Sequence, residues 1–365
     1  MKYRNIYVAA SSQHVGKTTS TLGLVSSFLQ KGINVGYCKP IGQKFIRDIF
    51  VDKDTLLFAD LIKFDIEPEI HSPVVLPSKR VRELIKYPEQ NDLEHRILKA
   101  AKTLNNIHDL TIFEGTGHPG VGGVVGFSNA RVAKLLNAGV IMIVEGGIGS
   151  TIDMLHLCAA LFREQQVPLI GVIINKVKVD KIDMVSEYLK IWLKRNNIPL
   201  LGIMPYDETL AYPLMSTIAG ALKATIELHA DKLDNRVESM LAGSLVDLKE
   251  LKSFQNLLLV ASNRTVDRAI KKVRSFSDFI GIKECPLSGI IVTGEGEIDE
   301  DTMQYIREHE VPLLRSHFDT YGAVIKISRI EVKINRHTPW KVARAIDMIK
   351  SNIELDEILR KSEFA

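Results

Sequence analysis

Ala9-Ala10-Ser11-Ser12-Gln13-His14-Val15-Gly16-Lys17-Thr18-Thr19 is the stretch on which the reading of this 365-residue chain turns. It follows a short apolar run, Ile6-Tyr7-Val8-Ala9-Ala10, and precedes Leu22, Val25, Phe28 and Leu29, which recur at helical spacing. Strand, tight loop and helix in that order turn Gly16-Lys17-Thr18 into a phosphate cradle. Backbone N–H groups of the loop and first helical turn point inward, and the helix dipole adds positive potential there. Lys17 then reaches the β- and γ-phosphates of a nucleotide, and the Thr18 hydroxyl ligates Mg2+. Ser12, Gln13, His14, Val15, Gly16, Lys17, Thr18 and Thr19 are therefore the expected nucleotide-binding segment. The strict pattern is broken at one position, where Ser11 replaces the usual first glycine. The plainer alternative is an ordinary helix N-terminus with a solvated Lys17, which the flanking elements disfavour.

Outward from that loop, composition narrows the class. Hydrophobic residues make up 45% and charged residues 25% of the chain, ordinary values for a soluble globular protein. The 47 basic and 44 acidic residues nearly cancel, so charge gives no case for nucleic acid. Cys38, Cys158 and Cys285 are far apart, follow no metal-ligand spacing and sit in or beside apolar runs, as in a reduced, cytoplasmic chain. The first residues enter strand-like sequence at once, leaving no room for a signal peptide. Apolar runs such as Val140–Val144 are too short to span a bilayer, so no membrane partner is expected.

The remaining chain alternates. Residues 33–38, 110–113, 140–144, 169–174 and 200–205 read as buried strands, with helices expected over 93–104, 129–136, 152–163 and 181–194. Residues 44–91 carry breakers at Pro68, Pro73, Pro77 and Pro88 and are harder to assign. Continuous apolar strands alternating with helices predict the α/β class, with a parallel sheet covered by helices on both faces. Ligands of such sheets bind at the carboxyl ends of the strands. Lys39, Glu114, Gly146 and Asn175 all fall at those ends, as does the phosphate loop. From about Tyr212 the style changes, and strands near 224–228, 257–261 and 287–292 with intervening helices predict a second, smaller α/β unit. The last thirty or so residues are charged and mostly helical, with Trp340, Val342, Ile346 and Ile349 expected on one face. The expected domains are 1–211, 212–330 and a helical tail over 331–365.

On Val15-Gly16-Lys17-Thr18, Tyr37-Cys38-Lys39-Pro40, Phe113-Glu114-Gly115 and Asn175, the first part resembles dethiobiotin synthetase and its relatives among the cobyrinic acid a,c-diamide synthases. Residues 207–213 and the chain beyond them, with Asn263-Arg264-Thr265, Ile291-Val292-Thr293-Gly294 and Asp319-Thr320-Tyr321, resemble the DRTGG domain. That order is the one found in the N-terminal portion of long bacterial phosphate acetyltransferases, and the likeness covers nearly the whole chain. It implies a P-loop NTPase-type sheet and a stand-alone version of that portion, without the acetyl-transferring domain. It also implies a second small-molecule effector at the DRTGG-like domain and a homodimer or higher homo-oligomer.

The likeness assigns roles. Lys39 matches the lysine beside substrate and phosphates, a second cation where charge develops during phosphoryl transfer. Glu114 matches the acid that helps hold Mg2+, and Asp54 the second, with Asp52 close enough to leave the register open. Asn175 matches the asparagine that reads the adenine edge. Lys178 stands where a guanine motif needs aspartate, which favours ATP over GTP. Ser12 replaces an acidic loop residue of the synthetase pattern, so dethiobiotin synthesis itself is not expected. No second lysine lies between Ser11 and Gly16, which separates the loop from that of partition ATPases. No cysteine has the context of a glutaminase nucleophile. Three functional readings stand side by side: an ATP/Mg2+-binding regulatory or sensor protein; an ATP-dependent ligase that phosphorylates a carboxylate or carbamate; and a structural partner with a vestigial loop.

Overall fold

Six apolar runs form one parallel sheet: β1 (Asn5–Ala10), β2 (Val35–Cys38), β3 (Leu110–Glu114), β4 (Ala138–Glu145), β5 (Leu169–Val177) and β6 (Leu200–Pro205). They lie in the order β6-β5-β4-β1-β3-β2. The computed structural model describes residues 3–43, 45–46, 50–88, 92–243, 254–330 and 332–362. Both faces of the central strands are buried, which is why β1, β3 and most of β4 read as unbroken apolar runs rather than alternating ones.

Helices connect the strands: α1 (Lys17–Gln30), α2 (Lys53–Ile62), α3 (Leu93–Ile107), α4 (Asn129–Leu135), α5 (Gly149–Glu164) and α6 (Ile182–Arg195). Tyr7 and Ala9 of β1, Phe113 of β3 and Val140, Met142 and Val144 of β4 pack on Leu93, Ile97 and Leu104 of α3 and Leu155 and Phe162 of α5 in one core cluster. Strand β5 runs past the 169–174 expected from sequence, because Val177 is buried and pairs with Pro205. Asn175 therefore lies inside the strand, opposite Glu145, rather than at its tip.

The chain divides into two units, Met1–Asp207 with Ile334–Ala365, and Glu208–Lys333. Residues after 333, expected to form a tail, thus belong to the first unit. Helix α11 (Pro339–Asn352) packs on α1, and Gly23 is the close-approach residue, since a Cβ there would lie 2.3 Å from Ile349 Cγ1. Its buried stripe is Lys341, Ala345, Met348 and Ile349, whereas Trp340, Val342 and Ile346 are only half-buried. The expected face was displaced because it counted only apolar residues, and Lys341 is itself buried.

The second unit holds β7 (Thr225–Leu228), β8 (Ser239–Ala242), β9 (Leu257–Ser262), β10 (Leu287–Thr293) and β11 (Leu313–Ser316), ordered β7-β11-β10-β9-β8 with only β7 antiparallel to its neighbour. Period-2 alternation divides its core. Leu257, Leu259 and Ala261 face α8 (Val266–Ile280) and α9 (Glu300–Glu308), while Leu258 and Val260 face α7 (Met215–Leu222) and α10 (Thr320–Ser328).

Candidate functional site

Strand register brings the site together. Val8 of β1 pairs with Glu114 of β3, and Cys38 of β2 pairs with Phe113, so Lys39 and Glu114 lie side by side at the ends of β2 and β3, level with Val8 in β1. Helix α1 starts at Lys17 after Gly16, whose φ of 98° is left-handed and suits glycine. Thr18, in the first turn, donates its hydroxyl to Glu114 Oε1 at 2.9 Å. Lys17 Nζ approaches the Gly117 carbonyl at 3.5 Å. Lys17, Thr18, Lys39 and Glu114 therefore share one neighbourhood.

Asp54 and Asp52 join them from the start of α2. Lys39 Nζ lies 3.0 Å from Asp52 Oδ1 and 3.8 Å from Glu114 Oε1, and it is ion-paired with Asp54. The two aspartates differ in duty. Asp52 caps α2 by accepting from the Asp54 N–H at 3.1 Å, and Gly42 leaves room for it, since a Cβ there would sit 2.9 Å from Asp52 Oδ2. Burial works against the charge of Lys39, but Asp54, Glu114 and Asp52 outweigh it, so its pKa is raised and the ammonium persists. Burial also pushes the Glu114 carboxyl up, against the pull of Lys39, Lys17 and the Thr18 hydroxyl. Glu114 is fully buried, and its Oε2 has no hydrogen-bond partner among the described residues. Such an orphaned acceptor is costly unless a cation serves it.

The loop is held from behind. Asn175 Nδ2 donates to the Val15 carbonyl at 2.7 Å, and its Oδ1 accepts from the Lys176 N–H at 2.8 Å. Lys176 Nζ donates to the His14 carbonyl at 2.6 Å. In a trans peptide the C=O and the following N–H point opposite ways, so the N–H groups of Val15 and Gly16 face away from β5. That is the direction an anion cradle needs. His14 has a φ of 62°, a conformation these two clamps hold in place. Ser12 and Gln13 are exposed; Val15 is buried; His14 and Thr19 are half-buried.

Hard oxygen donors suit Mg2+, which takes one or two carboxylates with water and phosphate oxygens. Thr18, Glu114 and Asp54 are that kind of set. Among the described residues no group of three or more His, Cys, Asp or Glu side chains forms a metal cluster by itself.

Two residues of the site carry no sequence signal. Asn129, buried at the start of α4, donates to the Thr116 and His118 carbonyls at 2.8 and 2.7 Å and accepts from Tyr7 Oη at 2.7 Å, so it shapes the glycine-dense loop after Glu114. Lys176 reads in sequence only as the second member of an Asn-Lys pair. A buried asparagine has no local pattern; only its distant partners reveal it. His118 is exposed, and its Nδ1 accepts from the Gly120 N–H. A cavity of about 590 Å3 lies on the β4–β5 side of the loop, lined by Ser11, Ser12, Glu145, Lys176, Lys178 and Tyr206 among others. It excludes Lys17, Lys39 and Glu114.

A parallel sheet with a phosphate-type loop between β1 and α1 defines a P-loop NTPase-like protein. The AAA domain family AAA_26 matches residues 4–213, and the DRTGG domain family matches residues 217–330. The chain belongs to the AAA_26 family and carries a DRTGG domain after its P-loop domain. It is 26% identical over 368 residues to a phosphate acetyltransferase of Nitrosomonas europaea, covering 97% of this chain and 51% of that protein. A probable cobyric acid synthase of Methanocaldococcus jannaschii is 27% identical over 230 residues, covering 57% of this chain and 46% of that one. The chain thus spans about half the length of the phosphate acetyltransferases it matches, and it is related to their N-terminal region. Among the described residues no helix is long and apolar enough to cross a membrane.

Proposed function

We propose that this chain binds ATP with Mg2+ at the loop 12–19 and serves as a regulatory or sensor module of a phosphate acetyltransferase-like kind. The observation that carries this reading is the Thr18–Glu114 contact at 2.9 Å, which puts a hydroxyl and a buried, half-unpartnered carboxylate at one strand tip. Thr18, Glu114 and Asp54 would hold Mg2+, which would screen the phosphate charge. Lys17 supplies the cation of the loop, and the outward N–H groups of Val15 and Gly16 bind phosphate oxygens. Lys39 stands ready as a second cation. Asn175 is engaged at both ends, so reading adenine would require it to exchange a partner; bracing the loop is the role its contacts support. Self-association and an effector on the second unit belong to this reading on the strength of the DRTGG match.

The buried Lys39 ammonium beside Glu114 supports a second reading, an ATP-dependent ligase in which Lys39 positions an acidic acceptor next to the phosphates. ADP release that depends on an added carboxylate separates the two. For the primary reading the test is calorimetry with ATP and Mg2+ on the wild type and Lys17→Ala. Strong heat from the first and little from the second is expected. Equal heats overturn the nucleotide site.

A further inference from the structure

The acids that the proposed ATP site gives to the metal are the acids that hold Lys39. Its ammonium is ion-paired with Asp54, lies 3.8 Å from Glu114 Oε1 and is 3.0 Å from Asp52 Oδ1. Lys39 is 6% exposed and Glu114 is fully buried, so neither charge can turn to solvent. Glu114 offers one oxygen to Thr18 and keeps the other without a hydrogen-bond partner among the described residues. A divalent cation seated on Asp54 and Glu114 would meet the Lys39 ammonium at close range in a poorly solvated space, where like charges repel strongly.

We infer that Lys39 is the internal counter-cation of the metal site. It neutralises Asp54 and Glu114 and so suppresses divalent binding in the absence of nucleotide. A triphosphate changes the balance, because its oxygens supply both ligands for the metal and a new anionic partner for the ammonium. Metal and nucleotide then enter together, and Lys39 passes from carboxylates to phosphate. The coupling half of this inference rests on the proposed ATP site; the competition between cations rests on the observed contacts alone.

Mn2+ titration of the full chain without nucleotide, followed by electron paramagnetic resonance, tests it. Lys39→Met is expected to bind Mn2+ roughly tenfold or more tightly than the wild type, because the competing charge is gone. Mn2+ should also raise the melting temperature of that variant and leave the wild type unchanged. Lys39→Arg keeps the charge and should gain nothing. If Lys39→Met fails to fold, Lys39→Met/Asp52→Asn, with one carboxylate fewer, carries the same expectation. Adding Glu114→Gln to either variant should abolish the gain. Equal Mn2+ affinity in wild type and Met variants overturns the inference, as does a gain that survives Glu114→Gln. A gain in the Met variants with no ATP binding by the wild type supports the cation competition and overturns the nucleotide reading instead.

Discussion

At the scale of single residues, the proposed ATP site asks for carbonyls held away from the anion and acids held toward a cation. Asn175 does the first. Replacing it by Ala strands the Val15 carbonyl and the Lys176 N–H, and urea melts should show a loss of about 1–3 kcal/mol. The loop would lose its brace as well, so calorimetry should show weaker ATP binding although Asn175 touches no phosphate-binding N–H directly. Glu114 does the second. Its Oε1 accepts from Thr18 while its Oε2 has no hydrogen-bond partner among the described residues, so Glu114→Gln, which keeps the side-chain volume and an oxygen for Thr18, should cost little stability. The same change should weaken Mg2+-dependent nucleotide binding by about 10–100-fold, the range found when a metal-site partner is removed. An unchanged Mg2+ dependence would remove Glu114 from the metal set.

At the scale of elements, close packing and buried titratable groups set the sensitivities. Gly→Ala in a helix interior ordinarily gains about 1 kcal/mol from propensity. At Gly23 the new Cβ would meet Ile349 Cγ1 at 2.3 Å and the Ala345 carbonyl at 3.0 Å. Overpacking of that kind costs about 1–3 kcal/mol and should win, so Gly23→Ala is expected to lower the melting temperature. His71 gives a pH dependence. Its backbone carbonyl accepts from the Lys39 N–H at 2.9 Å, its Nδ1 accepts from the Glu67 N–H at 3.1 Å, and its ring stacks on Phe64. Burial lowers its pKa from 6.5 to about 4. Between those values the unfolded chain binds more protons than the folded one, so stability is complete above pH 6.5 and falls as the pH drops toward 4. Melting temperatures recorded from pH 7 to 4 should show that loss in the wild type and a shallower one in His71→Phe.

At the scale of the whole molecule, the first unit is built from both ends of the chain. Helix α11 covers α1, the helix that begins at the phosphate loop, although the AAA_26 match ends at residue 213. Deleting residues 334–365 should therefore expose the α1 surface around Gly23, lower the unfolding temperature and abolish ATP binding. Circular dichroism melts and calorimetry on the shortened chain measure both; retention of full affinity would show that α1 needs no cover.

Local pattern sufficed for much of this. The alternation of apolar strands with helices determined a parallel α/β sheet, because strands buried on both faces must be apolar throughout. Gly16-Lys17-Thr18 between strand and helix determined that a P-loop-type turn joins β1 to α1, because the geometry of that turn is set by adjacent residues. Three-dimensional contact decided the rest. Whether Asp52, Asp54 or both meet Lys39 is decided by contacts between the end of β2 and the start of α2, and both do. Asn129 acquires meaning only beside Tyr7 and Thr116, and α11 returns to α1 across a whole intervening unit. Periodicity tells which side of a helix is buried by apolar contact, but it cannot name the partner, and it misses a buried lysine altogether. Contacts between residues far apart in the chain leave no local trace, so only the folded structure discloses them.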